Sequence, residues 1–198
     1  HRVHRRQRQM CIRDRFVDEA LWSRAYENRS LSIGHRQTIS QPYIVARMTE
    51  LLIQRFAGRG LVMKNVLEIG SGCGYQSAVL AQLSENVLGL ERIKPLVRKS
   101  RINLLELRIS NVKIKHADGF QAANELEQCF DGILCASAPR DIPTELIPLL
   151  KKDANLVIPV GSSNQTLTVV TKKSKQNYIT EEYDKVSFVP MLGGKTNH

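Results

Sequence analysis

The sequence is short of the residue clusters that mark a metal centre, a disulfide scaffold or a membrane span. Its four cysteines, Cys11, Cys73, Cys129 and Cys135, form no C-x-x-C pair and have no histidine-rich cluster around them, so neither zinc-site nor disulfide spacing is present and no metal is expected. Free thiols suit a reducing compartment, and Cys129 and Cys135 read as small buried apolar residues. No apolar run approaches the roughly 20 residues of a membrane-spanning helix, and the early arginines are not followed by a signal-peptide apolar stretch. The expectation is a cytoplasmic protein with no membrane partner. Acidic residues are also scarce, 19 against 29 Lys plus Arg, for a net charge of +10. The excess is uneven. Residues 1–15 hold six arginines against Asp14, which is +5 of that total, and the rest of the chain is only mildly basic.

That opening has almost no apolar content and no periodicity, so it buries too little surface to offset the entropy of ordering. Residues 1–15 are therefore expected to form a disordered basic tail that need not belong to the native chain. No nucleic-acid partner is expected, because a basic arm ordinarily serves a domain with its own basic face or stacking aromatics. Residues 16–198 are expected to form a single domain with an N-terminal helical cap over 16–60. An apolar content of 42% with 24% charged residues is ordinary for a globular domain with a real core.

The stretch around which the rest is organised is Asn65-Val66-Leu67-Glu68-Ile69-Gly70-Ser71-Gly72-Cys73-Gly74-Tyr75. An apolar run reads as a buried strand, and three alternating glycines let the backbone turn sharply and approach a ligand with no Cβ in the way. Gln76 to Ser84 is compatible with a helix, and Asn86 to Glu91 is a second apolar run ending in an acid, 21 residues after Gly70. Strand, Gly-rich turn, helix, strand and carboxylate make the nucleotide-binding half of a doubly wound fold, the acid hydrogen-bonding ribose hydroxyls. The spacing is G-x-G-x-G, not the G-x-G-x-x-G of dinucleotide enzymes. With Glu68 ahead of it, the spacing resembles the first motif of S-adenosylmethionine-dependent methyltransferases, which leaves a nicotinamide-binding module as the second reading.

Around this centre, residues 16–28 read as a helix or ordered cap, 31–42 as a polar loop, and 43–56 as an amphipathic helix with Ser40 as its N-cap and Pro42 in its first turn. Further strands are expected at 111–118, half-exposed and at an edge, at 130–139 and at 154–161. Two more, at 165–173 and 185–191, lack a helical connection and so pair antiparallel. The fold class is α/β: a doubly wound, mostly parallel seven-stranded sheet, Rossmann-like, with an antiparallel C-terminal end.

The blocks Phe16-Val17-Asp18, Ile33 to Pro42, the Gly-rich loop, Ser137-Ala138-Pro139 and Phe188-Val189-Pro190 occur in an order that closely resembles the protein-L-isoaspartate O-methyltransferases over residues 16–194. Gln37-Thr38-Ile39-Ser40 is the most specific of them. The resemblance implies S-adenosyl-L-methionine as cofactor and methyl transfer to the α-carboxylate of isoaspartyl residues in damaged proteins and peptides; a monomer is the expected state, which nothing in the sequence itself fixes. It implies that Gly70, Ser71 and Gly72 border the methionine part of the cofactor, that Glu91 binds its ribose, and that Asp118 and Gly119 sit against the adenine. Thr38, Ile39 and Ser40 would close over the reacting centre, with Ser40 and Thr38 catalytic and Ile39 against the cofactor. Tyr43, Ala138 and Pro190 would line the peptide side. Two departures stand out: no equivalent of the family's further N-terminal helix, and Lys151-Lys152-Asp153-Ala154-Asn155 where a Pro-Gly-Gly turn is usual. A nucleic-acid methyltransferase fits the cofactor half and the charge. Against it, Ala136-Ser137-Ala138-Pro139 stands where amino-methylating enzymes carry Asn/Asp-Pro-Pro-aromatic, and Cys135 is not preceded by the proline of a cytosine C5 nucleophile.

Overall fold

A computed structural model describes residues 12–56, 62–127, 129–174 and 177–197. Its frame is a seven-stranded sheet of β3 (Met63–Ile69), β4 (Ser84–Glu91), β5 (Val112–His116), β6 (Phe130–Cys135), β7 (Leu150–Val160), β8 (Gln165–Lys172) and β9 (Tyr178–Val186), in the order β5-β4-β3-β6-β7-β8-β9. The pairings are parallel from β5 through β7, and β8 pairs antiparallel with both neighbours. Strand order reverses at β3, so the crevice beyond its carboxyl end, beside that of β6, is where an open α/β sheet binds its ligand.

Period two sorts the core. Leu67, Ile133, Leu156 and Ile158 join one apolar cluster, while Val66, Leu134 and Val157 join another on the opposite face. Helix α1 (Pro42–Ile53) covers the second face with Met48 and Leu52. It lies close because Gly132 has no side chain: a Cβ there would meet Leu52 Cδ1 at 2.8 Å. Helices α2 (Tyr75–Leu80) and α3 (Lys94–Glu106) follow β3 and β4, and the short α4 (Ala122–Glu125) precedes β6. No helix of the described residues is long and apolar enough to cross a membrane.

Several expectations need correction. Residues 12–15 are not part of a loose tail: Arg13–Phe16 form a 3-10 turn in which Arg13 and Phe16 have no accessible surface. Residues 1–11, the remainder of the expected tail, lie outside the described residues. The stretch 16–28 is a cap of 3-10 turns, with a second at Glu19–Arg24, in place of a regular helix. The expected loop over 31–42 contains a hairpin, β1 (Leu31–Gly34) with β2 (Gln37–Ile39). Its reversal is concealed in the sequence because His35 and Arg36, with φ of 52° and 56°, take left-handed conformations beside Gly34. The last strand is Tyr178–Val186, not 185–191; residues after Val186 leave the sheet and cross toward the crevice. Cys129 is exposed, although Cys135 is buried as expected. The turn expected near residues 151–155 without glycine is absorbed inside β7. Pairing with β6 slips from Phe130↔Leu150 to Gly132↔Asn155, and Asp153 takes φ 60°, a conformation aspartate tolerates better than most residues.

Candidate active site

Three glycines of the loop after β3 adopt the left-handed region, Gly70 at φ 81°, Gly72 at 53° and Gly74 at 92°, which explains their alternation in the sequence. The loop folds back on the end of β4: the amides of Gly70 and Ser71 donate to the Leu90 carbonyl at 2.8 and 3.2 Å. Glu91 completes the turn. Its Oε2 accepts from the Gly72 amide at 2.8 Å and its Oε1 from the Ile93 amide at 2.9 Å. Burial pushes the Glu91 carboxyl upward, and those amides pull it back in part. Each oxygen retains a lone pair for a ligand hydroxyl.

Glu68, one residue before the end of β3, lines the cleft although it is not among the site residues expected from the sequence. It is fully buried at the crevice, and the Ser77 hydroxyl donates to its Oε2. Its Oε1 and the Ser71 Oγ are buried and make no hydrogen bond of good geometry among the described residues, although the Ser71 hydroxyl lies near enough to the Glu68 carboxyl to pull it down slightly. Burial, helped by the nearby Glu91 charge, raises the Glu68 carboxyl to about 7. The available signal was a carboxylate inside an otherwise apolar strand, which demands a polar reason.

Across the crevice stands the β1–β2 hairpin. Thr38, Ile39 and Ser40 line the same cleft as Gly70, Ser71, Gly72 and Glu91. The fit is close enough that a Cβ on Gly72 would lie 3.2 Å from Ile33 Cδ1. Ser40 is not the cap of α1: that position belongs to Gln41, and the helix takes no side-chain cap. The Ser40 carbonyl instead accepts from Arg13 Nη2 at 3.1 Å. Thr38 and Ser40 also border an adjoining groove toward Ile44, Lys185 and Phe188.

The segment after β9 forms a strap along the cleft. It is fixed by the Ala138↔Pro190 and Ile93↔Thr196 bridges, by the Met191 amide on the Ala138 carbonyl at 2.8 Å and by Arg92 Nε on the Gly194 carbonyl at 2.9 Å. His116 Nε2 lies 2.9 Å from the Arg92 carbonyl and 3.1 Å from that of Thr196; as both partners only accept, this nitrogen carries the proton. Pro190 and Gly119 line the cleft, and Met191 and Leu192, absent from the expected site, line it too. Asp118 stands just behind: Oδ1 accepts from Phe120 at 2.9 Å and Oδ2 from Gly194 at 2.6 Å. Ala138 is buried and acts through its backbone as a brace for Pro190. Tyr43 is half exposed, its amide on Asn28 Oδ1 at 3.1 Å, and lines neither cleft. Among the described residues no cluster of His, Cys, Asp and Glu could hold a metal ion.

The cleft has what a nucleoside with an amino-acid end requires. There is a glycine cradle for close backbone approach, a carboxylate at the end of β4, and unsatisfied buried oxygens on Glu68 and Ser71. At Gly119 a side chain would collide with Ile69 and with Met191 Cε, so the wall is flat there.

Comparison with known proteins agrees with this geometry. The family model described as protein-L-isoaspartate(D-aspartate) O-methyltransferase matches residues 8–196. Protein-L-isoaspartate O-methyltransferase of Methylobacillus flagellatus is 52% identical over 182 residues, covering 90% of this chain and 79% of that protein. That of Saccharophagus degradans is 50% identical, covering 91% and 79%. A solved structure assigned to the same activity in Plasmodium falciparum, in complex with S-adenosyl-L-homocysteine, superposes with a TM-score of 0.75 at 29% identity, covering 91% of this chain and 85% of the other.

Proposed function

The chain belongs to the protein-L-isoaspartate O-methyltransferase family, and from that premise and the cleft we infer that it transfers the methyl group of S-adenosyl-L-methionine to the α-carboxylate of L-isoaspartyl residues in damaged proteins and peptides. The observation that carries the reading is that the Thr38–Ser40 segment and the Gly70–Gly72 loop with Glu91 face one another across one cleft. The first is the most family-specific block of the sequence. The second is its cofactor signature.

When bound, the cofactor supplies an electrophilic methyl group on a sulfonium. In this proposal Gly70, Ser71 and Gly72 approach its methionine portion by backbone, and the free Glu68 Oε1 and Ser71 Oγ take up polar groups there. Glu91 accepts from ribose hydroxyls with the lone pairs that Gly72 and Ile93 leave free. Gly119 and the side of Asp118 form the wall for the adenine, and Ile39 closes the cleft from the hairpin.

The acceptor carboxylate needs no general base, since carboxyl groups with a pKa of about 3.5 to 4 are ionised at neutral pH. The task of Ser40 and Thr38 is to donate to that carboxylate and hold one oxygen in line with the methyl group, and such near-attack positioning can supply about 7 to 11 kcal/mol. Ser40 is free for this because its hydroxyl is not used as a helix cap. The new C–O bond forms as the S–C bond to the methyl group breaks, its electron pair staying on sulfur, and gives an α-carboxyl methyl ester, from which the neighbouring amide nitrogen can close a succinimide with loss of methanol and begin repair. Pro190, braced by Ala138, is assigned to the peptide side, and the exposed Tyr43, which lines neither cleft, to a stretch of peptide that runs beyond it. A monomeric cytoplasmic enzyme acting on proteins and not on nucleic acid completes the proposal.

The test is methyl transfer from labelled cofactor to an isoaspartyl peptide beside its aspartyl counterpart. Labelling of the isoaspartyl peptide alone supports the reading; equal labelling of both, or of neither, rejects it.

A further inference from the structure

The 3-10 turn Arg13–Phe16 touches both halves of the cleft from behind. On one side, the Arg13 guanidinium, with no accessible surface, donates to three backbone carbonyls from three separate segments. These are Ala25 at the end of the cap (2.5 Å from Nη1), Arg29 ahead of β1 (2.7 Å from Nη2) and Ser40 at the junction of β2 and α1 (3.1 Å from Nη2). On the other side, three residues along, the buried Phe16 ring packs on Tyr75 with centroids 5.5 Å apart, and Tyr75 directly follows Gly74 of the Gly-rich loop. One turn therefore contacts the segment proposed to hold the acceptor and the loop proposed to hold the cofactor.

We infer that Arg13 is a positioning residue of the reaction: its guanidinium fork sets the height of the Thr38–Ser40 segment over the cofactor loop, by fixing the Ser40 carbonyl to the turn that Phe16 anchors on Tyr75. Two features favour this over simple filling of space. Among the described residues the arginine has no carboxylate partner in its hydrogen bonds, and its Nε is buried without a partner, so a full charge is held dry on neutral carbonyls, where an apolar side chain would pack at less cost. The planar fork also fixes directions as well as distances, which a lysine ammonium on a flexible stem does not. Two segments that must agree within a fraction of an ångström gain from such a clamp, because a misplacement of about 1 Å can cost a hundredfold in rate.

The inference rests on the function proposed above, and its test carries a readout that does not depend on that function. Arg13→Lys, Arg13→Met and Arg13→Ala are made in the full chain, with Leu167→Ala, a buried residue of β8 that lines neither cleft, as a control for lost stability. Hydrogen–deuterium exchange should rise over residues 37–42 in the Arg13 variants and stay unchanged there in Leu167→Ala. On an isoaspartyl peptide, kcat should fall by roughly ten- to a hundredfold in Arg13→Met while the affinity for S-adenosyl-L-homocysteine changes by less than about threefold. Arg13→Lys should recover part of the rate, and added guanidinium at low concentration should raise the rate of Arg13→Ala but not of Leu167→Ala. Unchanged exchange over 37–42, or full kcat in Arg13→Met, overturns the positioning role. Should Arg13→Ala fail to fold, exchange and rate in Arg13→Lys decide. If the unaltered chain methylates no isoaspartyl peptide, the functional reading fails, and the exchange result alone still judges the clamp.

Discussion

The amide of Gly72 donates to Oε2 of Glu91 at 2.8 Å, so the acid at the end of β4 is tied to the loop it faces and the two respond together to any change at either. Glu91→Ala removes a loop anchor together with the proposed acceptor for the ribose. A hydrogen bond to a charged group contributes roughly 1.5 to 3 kcal/mol, which predicts at least a tenfold loss of affinity for S-adenosyl-L-homocysteine in calorimetry, with Glu91→Gln in between. Unchanged affinity in Glu91→Ala would show that the ribose assignment is wrong.

Ser40→Ala separates two roles that the sequence allowed together. Because Gln41 holds the cap position and α1 takes no side-chain cap, the substitution should leave thermal stability within about 0.5 kcal/mol of the parent, as for surface changes that break no feature. Turnover on an isoaspartyl peptide should fall while cofactor affinity holds, the pattern of a contact made in the transition state. Full turnover, or a large loss of stability, would contradict the role assigned to this hydroxyl.

Glu68 predicts a pH-dependent stability. Its carboxyl is raised from 4.5 to about 7 by burial, so the folded chain holds a proton that the unfolded chain releases. Stability from that proton is fully present below about pH 4.5 and is lost as pH rises through about 7. Glu68→Gln should flatten the unfolding midpoint across this window, making the variant the more stable protein at pH 8 by an amount on the order of 3 kcal/mol. Parallel profiles of parent and variant from pH 5 to 8 would refute the assignment.

The N-terminus supplies a graded test. Removing residues 1–7, which precede the family match at residue 8, should leave turnover intact and abolish any salt-sensitive binding to nucleic acid. Removing residues 1–15 also takes away Arg13 and its hydrogen bonds to the Ala25, Arg29 and Ser40 carbonyls, and turnover should collapse. Equal activity of the two truncations would return residues 8–15 to the status of a tail.

Asp153 occupies a left-handed position, φ 60°, inside β7. Left-handed geometry costs a residue with a Cβ about 1 to 2 kcal/mol, and glycine gives back roughly half of that through the unfolded state. Asp153→Gly should therefore raise the unfolding midpoint slightly and Asp153→Val lower it, with no change in turnover. A lower midpoint for the glycine variant would mean that the side-chain contact with Lys173 at 3.5 Å outweighs the backbone term.

What the sequence made legible follows from how local each signal is. The glycines at 70, 72 and 74, the apolar strands and the terminal acid Glu91 are consecutive residues with a fixed period or spacing, and they survive folding unchanged. The hairpin was hidden because His35 and Arg36 make its turn in a conformation their side chains disfavour. Arg13 was read as part of a solvated charge run, since nothing local distinguishes it from Arg15 or Arg8. Its partners lie 12, 16 and 27 residues away. The strap was invisible for the same reason: Pro190 and Thr196 meet Ala138 and Ile93, contacts no periodicity announces. Asp118, Ala138 and Tyr43 were drawn toward the cleft by resemblance; Asp118 and Ala138 stand one step behind it, and Tyr43 is exposed outside it.

The strap comes after every strand of the sheet in sequence, yet it supplies Met191 and Leu192 to the wall of the cleft. A domain of this kind folds as a unit, so that wall is set only when the last residues of the chain dock on Ala138 and Ile93. Loss of the segment from Val189 onward would therefore leave every strand of the sheet in the chain and still open one side of the cleft.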